Sequence, residues 1–378
     1  MKKLTRQQGF SLIELMVAIT ISLLIFAAVL RLFLDIGRTN DELAKTNEQI
    51  ENGRFSIQLL QLDLMHAGFW DGYIPDYDDP SATGGATPAA APAPCQSYGT
   101  WNAAYIDSLF ATPVQIYSGV PAGCETVITD KVANTDLIVT RHADTCVAGS
   151  TGCEADTAGE LYLQVSRCSS DANRYILGRT GTDTFNLRQR DCDASVLANK
   201  RRFVSHIYYI KNEGGVPTLM RSTLESSGGT VQFTTPQALI AGVESMRAEL
   251  GIDTYNALND KTVNYLTGER GDGVPDDYLN TTDDCASGCD IDNLVNVVNA
   301  NIYVLVRSTQ SSPGYTDTKA YQLGPFSIAA ANDNFKRHVF SSNVRFHNIS
   351  GRREVPPGSG SGGGDETDPE TPVDETTP

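Results

Sequence analysis

"GFSLIELMVAITISLLIFAAVL", Gly9 to Leu30, decides how the rest of the chain is read. Phe10 to Leu30 is a run of 21 residues that is apolar except for Glu14 and a few hydroxyls. As a helix rising about 1.5 Å per residue, it crosses a hydrocarbon core of roughly 30 Å. Lys2, Lys3 and Arg6 precede it. That charge keeps the amino-terminal end cytoplasmic and exports everything beyond Leu30. An ordinary cleaved secretory signal is the competing reading, but the run exceeds the usual length of about 7–15 residues and no small-x-small site closes it. Glu14 is the anomaly, because a carboxylate in lipid is costly and normally has a partner.

The about 345 residues that follow are enough for one large core or two smaller ones. The formal net charge of the whole chain is -17. Nucleic acid is therefore a poor partner, since phosphate binding relies on clustered Lys and Arg. Eight cysteines, Cys95, Cys124, Cys146, Cys153, Cys168, Cys192, Cys285 and Cys289, all lie on the exported side. An even count there reads as disulfides, with 105 connectivities if all pair. Closeness in sequence favours Cys146 with Cys153 and Cys285 with Cys289 as short loops, and Cys168 with Cys192 as a longer one. Zinc is disfavoured, because no CxxC pair occurs and the five histidines do not cluster with the thiols.

Helical patterning continues past the anchor. Ile36, Leu43, Ile50, Ile57 and Leu64 recur every seven residues, with most charges on other faces. The reading is one helix from near Phe10 to about Met65, with a membrane part at 10–34 and an amphipathic part at 35–68. Asn47 and Gly53 interrupt a second apolar column, so the stripe packs on the protein's own sheet and not in a coiled coil. "HAGFWDGY" ends the helix near Gly68. Residues 75–94, "PDYDDPSATGGATPAAAPAP", read as a low-complexity loop with no reason to pack. Residues 95–355 are β-rich: "PVQIYS", "TDLIVTR", "ELYLQVS", "RFVSHIYYIK", "PTLMRS", "NIYVLVRS" and "NVRFHN" are strand-like runs. "HIYYIKNEGGVPTLMRS" reads as a hairpin through Asn212–Pro217. "TPQALIAGVESMRAELGID" is open between a short helix and a strand, with the alternation favouring a strand after Val243. Residues 356–378 form an acidic tail with no fold information. The fold class is α+β, a long amino-terminal helix followed by largely antiparallel strands.

"GFSLIELMVA", Gly9 to Ala18, closely resembles the processing and assembly signature of type IV pilins and type II secretion pseudopilins. The resemblance implies a type IV pilin-like fold and a leader at residues 1–9, which prepilin peptidase cuts between Gly9 and Phe10. It also implies methylation of the new terminus on Phe10. Glu14 would then meet the terminal amine of a neighbouring subunit in the filament, which supplies the partner that lipid denies it. "FSIQLLQLDLMHAGFWDGY", residues 55–73, is similar to the "D-L-R-x-A-G-[FY]" helix end of PilW-type minor pilins, with Met65 where arginine is common. "KRHVFSSNVRFHN", residues 336–348, resembles the closing strand of that family through Arg337, Phe340 and Val344, with His347 replacing a late arginine.

The implied function is a minor pilin in a priming or tip complex. Its implied partners are other minor pilins, the major pilin, prepilin peptidase and the inner-membrane assembly machinery. The implied location is the bacterial inner membrane, single-pass with the carboxyl-terminal domain periplasmic, and then the pilus. A J-type minor pseudopilin is the alternative, but such chains are usually much shorter. A tip adhesin that binds a surface ligand is a second alternative, compatible with the first reading.

"GERGDGVPDDY", residues 268–278, invites calcium through Glu269, Asp272, Asp276 and Asp277, although it lacks the EF-hand spacing. Its ordinary reading is an acidic solvated loop, and no other cofactor is expected. GxSxG, HExxH and GxxxxGK[ST] are absent, so the chain is not expected to be an enzyme. His206, His338 and His347 fall in strand-like runs and read as surface or packed strand residues. "KRR" at 200–202 reads as a strand flank.

Overall fold

The computed structural model describes residues 9, 11–79, 85–258, 260–282, 285 and 288–354. The leader (except Gly9), Phe10 and the tail at 356–378 lie outside the described residues, as does the middle of the low-complexity loop. One helix, α1 (Leu12–His66), runs for 55 residues, about 80 Å at 1.5 Å per residue. It stops at Gly68, whose φ of +73° ends the helical path and whose bare Cα lets Ile349 approach.

Strands β1 (Val114–Tyr117), β2 (Leu137–Ala143), β3 (Leu161–Val165), β4 (Tyr175–Arg179), β5 (Lys200–Glu213), β6 (Val216–Ser227), β7 (Thr230–Phe233) and β8 (Gln237–Ala241) build the first sheet. Its main path is β1-β2-β5-β3-β4, and β6 continues it from β5 and carries both β7 and β8. β9 (Val243–Ile252), β10 (Asp277–Asn280), β11 (Val297–Arg307) and β14 (Arg337–Arg345) form a second sheet in the order β10-β9-β11-β14. Between its last two strands the chain makes a small ribbon of β12 (Tyr321–Leu323) and β13 (Phe326–Ile328). Three short helices complete the fold: α2 (Ala103–Ala111), α3 (Ile291–Leu294) and α4 (His347–Arg353).

Every ladder among the described strands is antiparallel. The segment that sequence left open between helix and strand supplies β8 and β9. The hairpin read from "NEGG" pairs Glu213 with Val216 across Gly214 and Gly215. Both glycines have positive φ, +58° and +86°, which a tight two-residue hairpin turn requires. The cysteines pair Cys95–Cys124, Cys146–Cys153, Cys168–Cys192 and Cys285–Cys289.

The structure corrects the sequence reading of α1. Ile36 and Leu43 are exposed, and the buried residues are Gln49, Gly53, Ser56, Leu60 and Leu64. Gly53 is not an interruption but the centre of this face, since a Cβ there would lie 2.0 Å from the Phe340 ring of β14. Leu60 and Leu64 join the main core with Met246, Ile302, Val304 and Phe346.

The loop at 75–94 is also corrected. Pro75, Tyr77, Asp78, Pro92 and Pro94 are buried. Tyr77 packs edge-on to Tyr265 at 5.0 Å, and Asp78 meets three arginines, Arg270, Arg352 and Arg353. A carboxylate needed by three guanidiniums is a strong reason to pack, and composition alone does not show it.

Candidate functional site

The amino-terminal segment of α1 exposes its apolar side chains on every face, from Leu12 at 76% to Leu34 at 62%. Its most hydrophobic window has a mean hydropathy of 2.6 and no residue buried against the rest of the chain. Nothing among the described residues covers this surface, which suits it to an external apolar phase. Thr20 donates its hydroxyl to the Met16 carbonyl at 2.6 Å, which satisfies a polar side chain within the helix. At the start, Ser11 has extended backbone at the N-cap, and its N–H donates to Glu14 Oε2 at 3.0 Å. Glu14 thus meets one of the orphan amide groups at the positive end of the helix, and is itself exposed. Gly9 is exposed, with nothing near its Cα.

The globular domain meets the helix from Arg38 onward. Arg38 donates to the Pro313 carbonyl and Lys45 to the Ser311 carbonyl. Glu42 accepts from Ser312 Oγ at 2.7 Å and pairs with Lys336 at 2.6 Å. These contacts hold its pKa down at about 2. One turn further in, Gln49 Nε2 donates to the carbonyls of Val306 and Lys336 at 2.7 and 3.0 Å, bonding the helix to β11 and the start of β14. At the far end, Asn348 of α4 donates to the carbonyls of Met65, His66 and Ala67 at 3.3–3.4 Å. These are the acceptors a helix leaves unpaired at its carboxyl end. α4 is itself locked by Arg353, wholly buried, which contacts Asp253 and Asp78 at 3.3 Å and donates to the Val295 carbonyl at 2.8 Å.

Beside that end lies a cluster that sequence did not assemble. Asp63 of α1 has Oδ1 3.1 Å from His142 Nε2 of β2 and 3.1 Å from His206 Nδ1 of β5. Thr140 donates to Asp63 Oδ2 at 2.6 Å. Burial alone would raise the Asp63 pKa, but the charge of His206 and the bonds from both imidazoles hold it well below the usual carboxylate value. Burial opposes charging of His142, yet the hydrogen bond and charge of Asp63 outweigh it and raise that pKa. The residues are 79 and 64 positions apart along the chain, and only the strand register β2–β5, which pairs Thr140 with His206, unites the two histidines. Aspartate in the "LDLMH" helix end was the available signal, because it breaks an apolar stretch next to buried Leu60 and Leu64.

The acidic loop is built differently from the cage that calcium needs. Glu269 pairs with Lys261 at 2.7 Å, Asp272 accepts from Val274 N–H, Asp276 from Thr254 and Tyr255 N–H, and Asp277 from Tyr278 N–H. These carboxylates serve separate donors. The loop instead wraps Asp253, whose oxygens accept from Asp272 and Gly273 N–H and occupy the place where a Cβ on Gly271 would stand. His338 and His347 are exposed, while His206 belongs to the Asp63 cluster. Lys200, Arg201 and Arg202 each pair with carboxylates, of Asp156, of Asp71, and of Glu160 and Glu225 respectively.

Comparison with known proteins adds two family matches. Residues 207–348 match the family described as Type IV Pilus-assembly protein W, and residues 4–30 match the prokaryotic N-terminal methylation motif. The first match runs from β5 into α4 and so contains β11 and β14, on which α1 lies, but not β2, which meets Asp63. Among solved structures, a type IV-like pilin from Thermus thermophilus is 10% identical, with a TM-score of 0.31, covering 80% of this chain and 97% of that one. No curated protein matches.

Proposed function

We propose, for a chain that carries a Type IV Pilus-assembly protein W domain behind an N-terminal methylation motif, the work of a minor pilin in type IV pilus assembly. The observation that carries this reading is a single unbroken helix whose first half has no cover among the described residues and whose second half is bonded into its own sheet. Such a helix can stand in a membrane and then leave it with its domain attached.

In this reading prepilin peptidase cuts after Gly9 and methylates Phe10. The domain beyond Leu30 is periplasmic, and Glu14 exchanges its Ser11 N–H for the terminal amine of a neighbouring pilin. The domain is large for repetition along a narrow shaft, which favours a priming or tip position among other minor pilins. The inner-membrane assembly machinery supplies the energy, and the chain's own part is assembly and not catalysis. The eight-stranded first sheet, with three of the disulfides around it, offers the surface for the adhesin alternative.

Intact mass and terminal sequencing of protein extracted from cells with and without prepilin peptidase test the reading. Loss of residues 1–9 with one methyl added to Phe10, only when the peptidase is present, is the expected result. A Met1 terminus in both strains overturns it.

A further inference from the structure

We propose that Asp63, His142 and His206 bind one divalent metal ion of the zinc class, which clamps the last turns of α1 to β2 and β5. The ligand atoms of all three residues lie within 4.8 Å of one another. Zinc bonds nitrogen and carboxylate oxygen at about 2.0–2.2 Å, so tetrahedral geometry sets its ligands roughly 3.3 Å apart. Asp63 Oδ1 already stands 3.1 Å from each imidazole nitrogen, within a few tenths of an ångström of that spacing, and the two nitrogens, which lie within 4.8 Å of each other, close toward it when the metal binds.

The protons are arranged for a cation as well. His142 Nδ1 lies 2.8 Å from the Ala143 carbonyl, an acceptor, so Nδ1 carries the hydrogen. Nε2 is then the nitrogen that faces Asp63, and a bound cation takes the place of the proton the two share. A carbonyl on the outer nitrogen of a ligating histidine is the usual orienting contact at metal sites. Thr140, fully buried, donates to Asp63 Oδ2 and fixes the carboxylate, both of whose oxygens lie 3.1 Å from His206 Nδ1 while Oδ1 alone also faces His142. Two imidazoles with one carboxylate select zinc-like metals over calcium. All eight cysteines are in disulfides, so no thiolate competes. His66, one turn beyond Asp63, has its ring 5.6 Å from that of His142, and water completes the coordination.

The test uses the full chain without a histidine tag, in detergent, stripped by a chelator and dialysed against limiting zinc chloride at neutral pH. One zinc per chain, with a rise in Tm, is expected. Binding weakens on acidification because the ligands must lose their protons. Thr140→Val weakens it by about tenfold, His206→Gln abolishes it, and the exposed His338→Gln leaves it intact. Cobalt in place of zinc gives visible absorption bands with the unaltered protein, a readout independent of whether any variant folds. The proposal is overturned if the unaltered chain binds no stoichiometric zinc, shows no cobalt bands and keeps its Tm. The cluster is then an ion pair alone.

Discussion

Between Leu12 and Leu34 the helix α1 presents apolar side chains all round, whereas between Gln49 and Leu64 it buries five residues, of which only Leu60 and Leu64 are large and apolar. The first half is shaped by what surrounds it, a phase that offers no hydrogen bonds and asks only for apolar surface. The second half is shaped by closeness. Gly53 gives its volume to Phe340, and Gln49 spends its amide on two carbonyls of the domain. Hydrophobicity therefore marks the half of the helix that lacks protein contacts, and small or polar residues mark the half that has them.

The largest effect expected from breaking this comparison lies in the first half. If pairing in the filament recovers the about 2.5–3.5 kcal/mol that a carboxylate costs in lipid, Glu14→Ala lowers incorporation into filaments by roughly 100-fold or more. Domain stability is expected to be unchanged, because Glu14 is exposed and its hydrogen bond among the described residues is to Ser11, far from the domain. Immunoblots of sheared pili and of membranes measure the two separately, and normal amounts in the pili would refute the role. In α4, against which the second half ends, Arg353→Met removes one of the three guanidiniums at Asp78 and the arginine that pairs with Asp253, both carboxylates essentially inaccessible. Breaking a buried ion pair costs about 3–5 kcal/mol. Denaturant unfolding of the variant in detergent should show that loss, and because α4 caps α1 through Asn348, protection of the Leu64–Ala67 region from hydrogen exchange should fall with it.

How much of this was legible follows from the same contrast. The long apolar helix and the α+β class were readable because they depend on local composition and period, as was the β5–β6 hairpin with its paired glycines. The heptad Ile36, Leu43, Ile50, Ile57 and Leu64 found Leu64 and the partly buried Ile57 but included the exposed Ile36 and Leu43 and missed Gln49, Gly53 and Ser56, because a period reports apolar residues and not the close approach of a sheet. Asp78 fell in a low-complexity loop with no reason to pack, and three arginines from distant segments reach it. The Asp63 cluster was illegible for a related reason, since it exists only through the pairing of β2 with β5 and the passage of α1 over both. Residues 268–278 carried the right residue types for calcium, but their carboxylates are committed to nearby backbone N–H groups and Lys261.

Two smaller effects sharpen the boundary between the halves. Gly53→Ala forces a Cβ into the Phe340 ring and should cost about 1–3 kcal/mol as overpacking. Combining it with Phe340→Leu should recover part of that loss in a double-mutant cycle. Strict additivity of the two would show that the helix and β14 do not meet at this point.

Glu42, where the exposed half gives way to the seated one, has the mildest and most conditional effect. Its hydrogen bonds from Lys336 and Ser312 lower its pKa from the ordinary 4.5 to about 2. A carboxylate with a depressed folded-state pKa contributes its full share above the ordinary value, and that share disappears as pH falls from 4.5 toward 2. Acidification across this window should loosen α1 around Arg38–Thr46 before the Gln49–Leu64 face, which is seated through the Gln49 amide and the buried Leu60 and Leu64. Hydrogen exchange corrected for intrinsic rates reads the two segments separately. Glu42→Gln should give reduced protection of the first segment already at neutral pH, with no further change across the window. Superimposable pH profiles for the variant and the unaltered chain would mean that Arg38 and Lys45 alone hold the helix there.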